Sequence, residues 1–340
     1  MGLKQFIVNR IRRGFSIKVG SRSILINVKR NKKSKAEHSA FREARFRNDF
    51  RFNFFLDDNL DESVKRIIIS QLFYQNVGYY PNIDSPKTFS EKVLWLKLYY
   101  DNPLIKRACD KVEMKKYVEE VLGPGHTVPL LEVYSSVFDI DLDRLPNSFV
   151  LKVNWASGFN IIVKDKQNTD IDYIRAALER WTLPWNNSYY GSFNRGYKAV
   201  KPTIFAEKYL ELSDPAIEYK AFCINGKMRF CLLEIDYFGK NPKRAYYDAN
   251  GEEVPFQFGN IPKVELDKLP ENYRKMINMA EKLAEPFPYV RVDFYESNGK
   301  LYVGELTFYS GSGFSVLKPE EWDKILGEEL DISSYMINGG

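Results

Sequence analysis

The sequence predicts an α+β fold, because helical and strand-like patterns occupy separate stretches of the chain. Apolar residues at helical spacing cover 61–80 and 90–100. Short alternating stretches follow, and Asn225-Gly226 and Asn298-Gly299 lie between pairs of them. Asn-Gly pairs favour tight hairpin turns. Helices combined with hairpins are typical of folds in which helices pack on antiparallel sheets.

The individual elements follow from the same patterns. Helices are predicted over 61–80, 90–100, a stretch from 104 or 111 to 121, 172–181, part of 266–283, and 319–330. Strands are predicted over 128–134, 149–154, 161–164, 203–210, 219–224, 228–235, 245–247, 290–295 and 301–308. Ser90 is the expected N-cap of the second helix. Residues 185–197 are aromatic and polar without periodicity, so we interpret them as a loop and a candidate lid.

The charge distribution argues against a nucleic-acid-binding domain. The net charge of the 340 residues is +5. Residues 1–50 carry 14 basic and 3 acidic residues, which leaves 36 basic and 42 acidic residues in 51–340. A mildly acidic body without a stripe of basic and aromatic residues lacks the footprint of a nucleic-acid interface.

The three cysteines lack metal-ligand spacing, so we expect buried free thiols rather than a zinc or thiol-nucleophile site. No run approaches 18 apolar residues, and the basic start is not followed by a signal-peptide core. We therefore expect a cytoplasmic protein.

The basic arm, residues 1–50, leaves two alternatives open. Apolar residues at near-helical spacing over 2–17 predict an amphipathic surface helix, and 29–35 adds a basic cluster. Such an arm would hold the protein on the inner face of an anionic membrane or on an acidic polymer. Alternatively it solubilises the chain or docks on the acidic body.

Ionisable residues inside the last predicted hairpin indicate a functional site. Arg291, Asp293 and Glu305 lie within apolar and aromatic strands, where unpaired charges are expensive to bury. Asp293 faces Glu305 if the connection has three residues with Gly299 left-handed, whereas a two-residue turn would put them on opposite faces. Two facing carboxylates beside Arg291 suit a divalent cation that neutralises phosphate, so we expect the three-residue connection. The alternative is a surface ion-pair ladder.

The order of motifs resembles that of the ATP-grasp superfamily. The motifs are Asp110-Lys111 opening a helix, Phe149-Val-Leu-Lys152 before a Ser157-Gly158 loop, Phe205-Ala-Glu-Lys-Tyr-Leu210, Glu218 two residues before Lys220, Arg291-x-Asp293, and Glu305-x-Thr307 before Ser-Gly-Ser-Gly. The spacing is similar to that of D-alanine ligases. Lys-x-Asn-x-small-Ser-Gly-x-Asn and Gly-Glu-Leu-Thr-Phe-Tyr-x-Gly-Ser-Gly-Phe are similar to the TupA-like branch, which is named for a protein of teichuronopeptide synthesis. The likeness covers roughly 90–328.

The resemblance implies an ATP-grasp fold, in which two α+β lobes hold ATP between antiparallel sheets, preceded by a helical N-terminal segment. It implies the following divisions: the arm 1–50, a helical segment 51–109, a small lobe 110–210, a C-terminal lobe 211–330 and a tail 331–340.

The resemblance also implies roles for individual residues, with ATP and Mg²⁺ as cofactors. Lys111 and Lys152 would hold phosphates, and the 155–160 flap with Ser157 and Gly158 would close over them. The strand that contains Glu207, Lys208 and Leu210 would read adenine, and Glu218 would hold the ribose. Lys220 would face the triphosphate, Arg291 would contact the transferred phosphoryl group, and Asp293, Glu305 and Thr307 would bind the metal.

Three positions depart from the family pattern. Thr307 stands where most ATP-grasp enzymes have Asn, and Trp155 and Ala156 stand where closer relatives have His and Gly. A Thr oxygen is a poorer ligand than an amide carbonyl. The two flap residues are expected to reduce the freedom of the loop.

The resulting hypothesis is an ATP-dependent carboxylate–amine ligase in cell-surface polysaccharide or teichuronopeptide-type synthesis. Its partners would be a carboxylated glycan or sugar acceptor and an amine donor. Two alternatives remain: a phosphotransferase acting on a sugar or glycan, and a catalytically weak ATP-binding subunit that tethers an assembly complex.

Overall fold

The computed structural model describes residues 7–11, 14–19, 22–27, 61–212, 215–237 and 241–336. Its helices are α1 Glu62–Val77, α2 Phe89–Tyr99, α3 Pro103–Cys109, α4 Lys111–Leu122, α5 Ile171–Trp181, α6 Ser188–Ser192, α7 Tyr273–Ala284, α8 Glu321–Glu329 and α9 Ser333–Met336. Its strands are β1 Ile7–Ile11, β2 Gly14–Val19, β3 Arg22–Asn27, β4 Leu130–Tyr134, β5 Phe149–Val153, β6 Asn160–Val163, β7 Ile204–Lys208, β8 Ile217–Ile224, β9 Lys227–Ile235, β10 Lys243–Tyr247, β11 Gln257–Phe258, β12 Tyr289–Ser297, β13 Lys300–Thr307 and β14 Leu317–Lys318.

Two antiparallel sheets carry the candidate functional residues. The larger has the strand order β10-β9-β8-β12-β13, and the smaller has the order β4-β7-β5-β6. The smaller sheet precedes the larger one in the chain, with α1 to α4 before both. The α+β class is confirmed.

Each sheet is anchored by its own apolar contacts. One face of the larger sheet packs with α3, α4 and α7, and Val290 and Val292 are fully buried there. Part of its other face, including Phe222 and Phe230, packs with α1, α2 and α8. The smaller sheet packs on α5 through Ile174. Because apolar side chains pack against both faces of the larger sheet, its strands are held in place, and so are the polar residues on them.

Two details of the helices differ from the expectations. Thr88, not Ser90, is the N-cap of α2, because Thr88 and Glu91 form a reciprocal capping box. Ser90 lies inside the helix, and its hydroxyl donates to Asp323 at 2.9 Å. The stretch predicted from 104 or 111 to 121 is two helices, since Asp110 ends α3 and caps α4.

The helix predicted over 2–17 is wrong for the described part of the arm. Residues 7–11 and 14–19 form the antiparallel strands β1 and β2, and β3 pairs with β2. Phe15, Ile17 and Val19 also fit a period of two, and β-branched residues favour strands. The basic cluster 29–35 lies outside the described residues, as does 51–60 of the predicted helical segment. α1, α2 and α3 lie in the rest of that segment.

The sequence also led to expectations about the burial of the cysteines and about apolar runs long enough to cross a membrane. Cys109, Cys223 and Cys231 are buried free thiols, as predicted. In the described parts of the chain, none of the helices combines the length and apolar character that a membrane crossing needs.

Candidate active site

The β12–β13 hairpin closes with a two-residue turn. Ser297 pairs with Lys300, and Asn298 and Gly299 between them have φ of 52° and 71°. Two successive left-handed residues are typical of a type I′ turn. The expected three-residue connection is therefore wrong, although Gly299 is left-handed as predicted.

A β-bulge nevertheless brings the two carboxylates to the same face. Phe294 pairs with Val303, but the next pair is Asp293 with Glu305, which leaves Gly304 as the extra residue on β13. One extra residue reverses the alternation of every side chain beyond it. A Cβ added at Gly304 would lie 2.4 Å from Cε2 of Tyr295. The bulge therefore accommodates the tyrosine ring because this position is glycine.

Arg291 joins the facing carboxylates. Its Nε and Nη2 donate to the two oxygens of Asp293, each at 2.6 Å. Nη2 also donates to Thr307 Oγ1 at 3.2 Å and lies 3.5 Å from Glu305. The Thr307 hydroxyl in turn donates to Glu305 at 3.1 Å. These four side chains form one hydrogen-bonded group.

Two lysines from other elements reach the same group. Lys111, the first residue of α4, places Nζ 3.2 Å from Glu305. Lys220 pairs with Asp293 across β8 and β12, and its Nζ lies 3.5 Å from that carboxylate. Lys220 is also 3.2 Å from Glu218, on its own strand. We call these residues the hairpin cluster: Lys111, Glu218, Lys220, Arg291, Asp293, Glu305 and Thr307.

The charges of the hairpin cluster stabilise one another. Burial by itself opposes ionisation of Glu305, but Lys111, Arg291 and Lys220 outweigh it and lower its pKa to about 2. Burial likewise opposes the charge on Lys220, yet Asp293, Glu218 and Glu234 raise its pKa. For Glu218 burial dominates and raises the pKa, although Lys220 partly counteracts it. The cluster therefore keeps Glu305 and Lys220 charged at neutral pH.

Sequence reasoning missed Glu234 in this region. Glu234 is 3% exposed, lies opposite Glu218 on β9, and contacts Lys220 at 3.2 Å. Arg244 of β10 donates to its other side through Nε at 3.0 Å. Glu234 lies within the apolar stretch 228–235. Charged residues within apolar strands also indicated the site on the last hairpin, so Glu234 could have been identified from the sequence in the same way.

A second group of charges lies on the smaller sheet. Lys152 of β5 forms an ion pair with Glu207 of β7, and Lys115 of α4 lies 3.0 Å from the other Glu207 oxygen. Glu207 is only 4% exposed. Burial opposes its ionisation, but Lys152 and Lys115 outweigh it and lower its pKa. Sequence reasoning missed Lys115, which follows Lys111 by one helical turn. We call Lys115, Lys152 and Glu207 the hinge cluster.

The remaining predicted residues flank these clusters. Lys208 ends β7, is exposed, and donates its backbone N–H to the Pro129 carbonyl at 2.9 Å. Leu210 follows the strand and is half-buried. Neither side chain joins a charge cluster through the contacts that the structure records.

The flap between β5 and β6 has a free tip and an anchored base. Ser157 and Gly158 are exposed, and Gly158 is left-handed with φ 78°. Trp155 is 3% exposed and its indole N–H donates to the Trp181 carbonyl at 3.1 Å. Phe159 stacks on Trp181 with ring centroids 5.2 Å apart. Trp155 and Phe159 thus anchor the base of the loop to Trp181.

The segment predicted as a loop contains α6 and a short helical turn at Arg195–Tyr197. Gly196 lies against α3, since an added Cβ would be 2.6 Å from Cys109 Sγ. Its backbone N–H donates to the Tyr309 hydroxyl at 3.3 Å. These contacts hold the segment beside the end of the hairpin.

The donor set of the hairpin cluster is compatible with a magnesium ion. Within the described ranges, three or more His, Cys, Asp or Glu side chains do not converge in a metal-binding geometry. Asp293, Glu305 and Thr307 supply only oxygen donors. Mg²⁺ in nucleotide enzymes takes one or two carboxylates and completes its shell with phosphates and water. Two facing carboxylates therefore suffice if a polyphosphate is present.

The model of the TupA-like ATP-grasp family matches residues 91–331. No functionally curated protein is significantly similar in sequence.

Several solved structures are similar over part of the chain. A D-alanine–D-alanine ligase from Bacillus anthracis, complexed with ATP, is 20% identical with a TM-score of 0.36, and the match covers 59% of this chain and 55% of that one. A D-alanine–D-alanine ligase from Helicobacter pylori is 15% identical with a TM-score of 0.39, covering 66% and 61%. A phosphoribosylamine–glycine ligase from Thermotoga maritima is 14% identical with a TM-score of 0.37, covering 60% and 48%. The chain thus spans less than two thirds of each of these structures.

Proposed function

The chain belongs to the TupA-like ATP-grasp family, and on that premise we propose that it is an ATP-dependent carboxylate–amine ligase that acts through an acyl phosphate. One observation carries the proposal. Lys111, Lys220 and Arg291 converge on the facing carboxylates of Asp293 and Glu305. Three cations beside two oxygen donors suit a magnesium-bound polyphosphate.

We assign the nucleotide to the region beside α4, which carries Lys111 of the hairpin cluster and Lys115 of the hinge cluster. Lys111 and Lys152 hold the phosphates, and Ser157 and Gly158 cover them with backbone N–H groups. The strand end with Glu207, Lys208 and Leu210 contacts the adenine, and Glu218 holds the ribose. The family membership and the contacts of Lys111 and Lys152 support these roles.

Asp293, Glu305 and Thr307 are the residues assigned to the metal. When bound, Mg²⁺ would neutralise charge on the phosphate oxygens. Arg291 is assigned to contact the transferred phosphoryl group, and its contacts with both carboxylates and Thr307 support this role. Lys220 contacts Asp293 from the neighbouring strand β8 and would face the triphosphate. Their fixed charges act without reorganisation during transfer.

The chemistry proceeds in two balanced steps. A carboxylate oxygen of the acceptor attacks the γ-phosphorus of ATP, the bond to the β-phosphate oxygen breaks, and ADP leaves. An amine then attacks the carbonyl carbon of the acyl phosphate and loses a proton as inorganic phosphate departs with the electron pair of the broken C–O bond. Enzyme residues supply positioning and charge rather than a nucleophile. In keeping with this, all three thiols are buried, and burial raises their pKa values.

We further propose that the acceptor is a carboxylated glycan or sugar of cell-surface polysaccharide or teichuronopeptide-type synthesis. The resemblance of the Lys152–Asn160 and Gly304–Phe314 motifs to the TupA-like branch supports this context. The amine donor would be an amino acid or another small amine. The 1–50 arm would bring the protein to the anionic surface where such polymers are assembled.

Mass spectrometry of the products tests this proposal. The protein is incubated with ATP, Mg²⁺, an acidic glycan and an amino-acid pool, and the expected products are an amide, ADP and phosphate. A phosphoester with ADP alone would identify a phosphotransferase. ATP binding without turnover of any substrate would favour a tethering subunit.

A further inference from the structure

Asn154 lies at the root of the flap and is fully buried. It follows β5 directly and stands two residues after Lys152. Its side-chain oxygen accepts from the Thr203 backbone N–H at 2.9 Å. Its side-chain nitrogen donates to the Asp110 carboxylate at 2.7 Å and to the Lys201 carbonyl at 3.0 Å. The amide therefore uses one acceptor and both donors.

The backbone of Asn154 contacts the same two regions of the chain. Its carbonyl accepts from the Lys111 N–H at 3.2 Å, and its N–H donates to the Thr203 carbonyl at 3.1 Å. Asp110 uses its other oxygen to cap α4 through the Val112 N–H at 2.8 Å. Asn154 thus fastens the start of α4 to the end of β5 and to the stretch that leads into β7.

These three elements carry lysines and a carboxylate that belong to different clusters. Lys111 begins α4 and contacts Glu305, whereas Lys152 lies on β5 and contacts Glu207 of β7. Asn154 directly follows β5 and is hydrogen-bonded to the start of α4 and to the stretch before β7, so its side chain constrains the separation of the two lysines. Misplacement of such groups by about 1 Å can reduce activity by about two orders of magnitude.

We propose that Asn154 is a positioning residue. It sets the separation of Lys111 and Lys152 and thereby determines the affinity of the protein for the nucleoside triphosphate. The inference rests on the proposed function, since it takes the ligand to be ATP. Asn suits the position because a carboxylate would oppose Asp110 and the Lys201 carbonyl, and an aliphatic side chain would leave three polar groups without partners.

If Asn154 only stabilised the fold, substitution of another structural asparagine should affect ATP binding equally, and Asn76 provides that control. Asn76 is half-buried near the end of α1, and its side-chain nitrogen donates to the Leu72 carbonyl at 2.7 Å. Both residues lie in α1, which contributes no residue to either charge cluster. Substitution of Asn76 is expected to lower stability without a matching loss of ATP affinity.

The test compares the dissociation constant for ATP in the wild type, Asn154→Asp and Asn76→Asp, measured by calorimetry from pH 5.5 to 8. At pH 8 we expect Asn154→Asp to raise the constant at least about tenfold, the scale of one lost hydrogen bond to a charged group. The charged groups on α4 near the new carboxyl are Asp110, Lys111 and Glu113, and from the β7 side it faces the Lys201 carbonyl. Protonation at lower pH lets the new carboxyl donate to Asp110, so the ratio to wild type should fall as pH falls.

A double exchange keeps the test decisive if the single variant folds poorly. Asn154→Asp combined with Asp110→Asn reverses the direction of the side-chain hydrogen bond and retains an oxygen that caps α4. We expect it to recover part of the affinity at pH 8. If Asn154→Asp binds ATP as tightly as wild type throughout, or if Asn76→Asp weakens binding equally, the positioning role is overturned. Failure of the wild type itself to bind ATP would refute the proposed function and, with it, this inference.

Discussion

Gly304 determines which face of the hairpin Glu305 occupies. The two-residue turn alone would place Glu305 on the face opposite Asp293, and the bulge at Gly304 reverses this. The Tyr295 ring occupies the space that a side chain at 304 would need. The pairing of the two carboxylates therefore depends on a residue with no functional group.

Replacing this glycine tests the role of the bulge. Gly304→Ala should destabilise the protein by about 1–3 kcal/mol, because the methyl group overlaps Tyr295 and forces the ring or the strand to move. Urea unfolding of Gly304→Ala, Tyr295→Ala and the double variant measures the coupling. The alanine should be less destabilising when Tyr295 is also alanine. Additive effects would show that the ring does not constrain position 304.

The depressed pKa of Glu305 predicts a specific contribution to acid stability. A carboxylate with a folded-state pKa near 2 stabilises the native state above its unfolded pKa of about 4.3, and the contribution disappears as pH falls toward 2. We expect Glu305→Gln to be less stable than wild type at pH 6, by on the order of 2–3 kcal/mol. The difference should shrink as pH falls below 4. A difference that stays constant from pH 6 to 2 would contradict the assigned pKa.

At the scale of elements, the flap combines an exposed tip with an aromatic base. Phe159 stacks on Trp181, and Trp155 donates to the backbone of the same residue. These two contacts tie the base to the end of α5, whereas Ser157 and Gly158 are exposed. A loop anchored in this way is ordered before the nucleotide binds, which lowers the entropy lost on closure.

Loosening the base should weaken nucleotide binding. Phe159→Ala removes one stacked pair, worth about 0.5–1.5 kcal/mol, and we expect the dissociation constant for ATP to rise by up to about tenfold. Tyr80→Ala is the matched control, because Tyr80 stacks on Tyr74 at a centroid distance of 4.5 Å on the exposed side of α1. Equal affinity in the wild type and Phe159→Ala would exclude a role for the stack in binding.

The sequence predicted most elements but not the local irregularities within them. Period-two and period-3.6 patterns located most of the longer strands and helices of 61–336 because those patterns reflect burial, but not the short elements α6, α9, β11 and β14. The bulge at Gly304 was not predictable, since it depends on how Tyr295 packs against the neighbouring strand. Within the helix predicted over 2–17, apolar residues from Phe15 onward also fitted a period of two, and strand pairing decided between the two periods. Lys115 entered the site through a contact with Glu207, far from it in the chain, whereas Glu234 was recognisable in the sequence as a carboxylate within an apolar strand.

At the scale of the whole molecule, α4 connects the two charge clusters. Lys111 reaches Glu305 on the larger sheet, and Lys115, one turn later, reaches Glu207 on the smaller sheet. Any rearrangement between the sheets must therefore strain or break one of these ion pairs. We propose that the chain divides into the arm 1–50, a segment 51–109, a small lobe 110–210, a C-terminal lobe 211–330 and a tail 331–340. In this division α4 lies at the start of the small lobe.

The basic arm yields a prediction for the intact protein. A surplus of 11 positive charges in 1–50 should attract anionic lipid, at about 1 kcal/mol for each basic residue near the surface. We expect the full chain to float with anionic liposomes at low salt and a chain without 1–50 to remain at the bottom of the gradient. Neutral liposomes are the control. Unchanged flotation after removal of the arm would exclude it as a membrane anchor.

The assignment of the facing carboxylates Asp293 and Glu305 to a magnesium site is tested most directly by the magnesium dependence of ATP binding. Calorimetry with and without Mg²⁺ would compare the wild type with Asp293→Asn, Glu305→Gln and a surface control, Glu253→Gln, whose carboxylate pairs with Lys263. We predict that Mg²⁺ strengthens ATP binding to the wild type and the control but not to the two hairpin variants, which should also fail to form ADP. Undiminished magnesium dependence and turnover in both hairpin variants would contradict the assignment of the site.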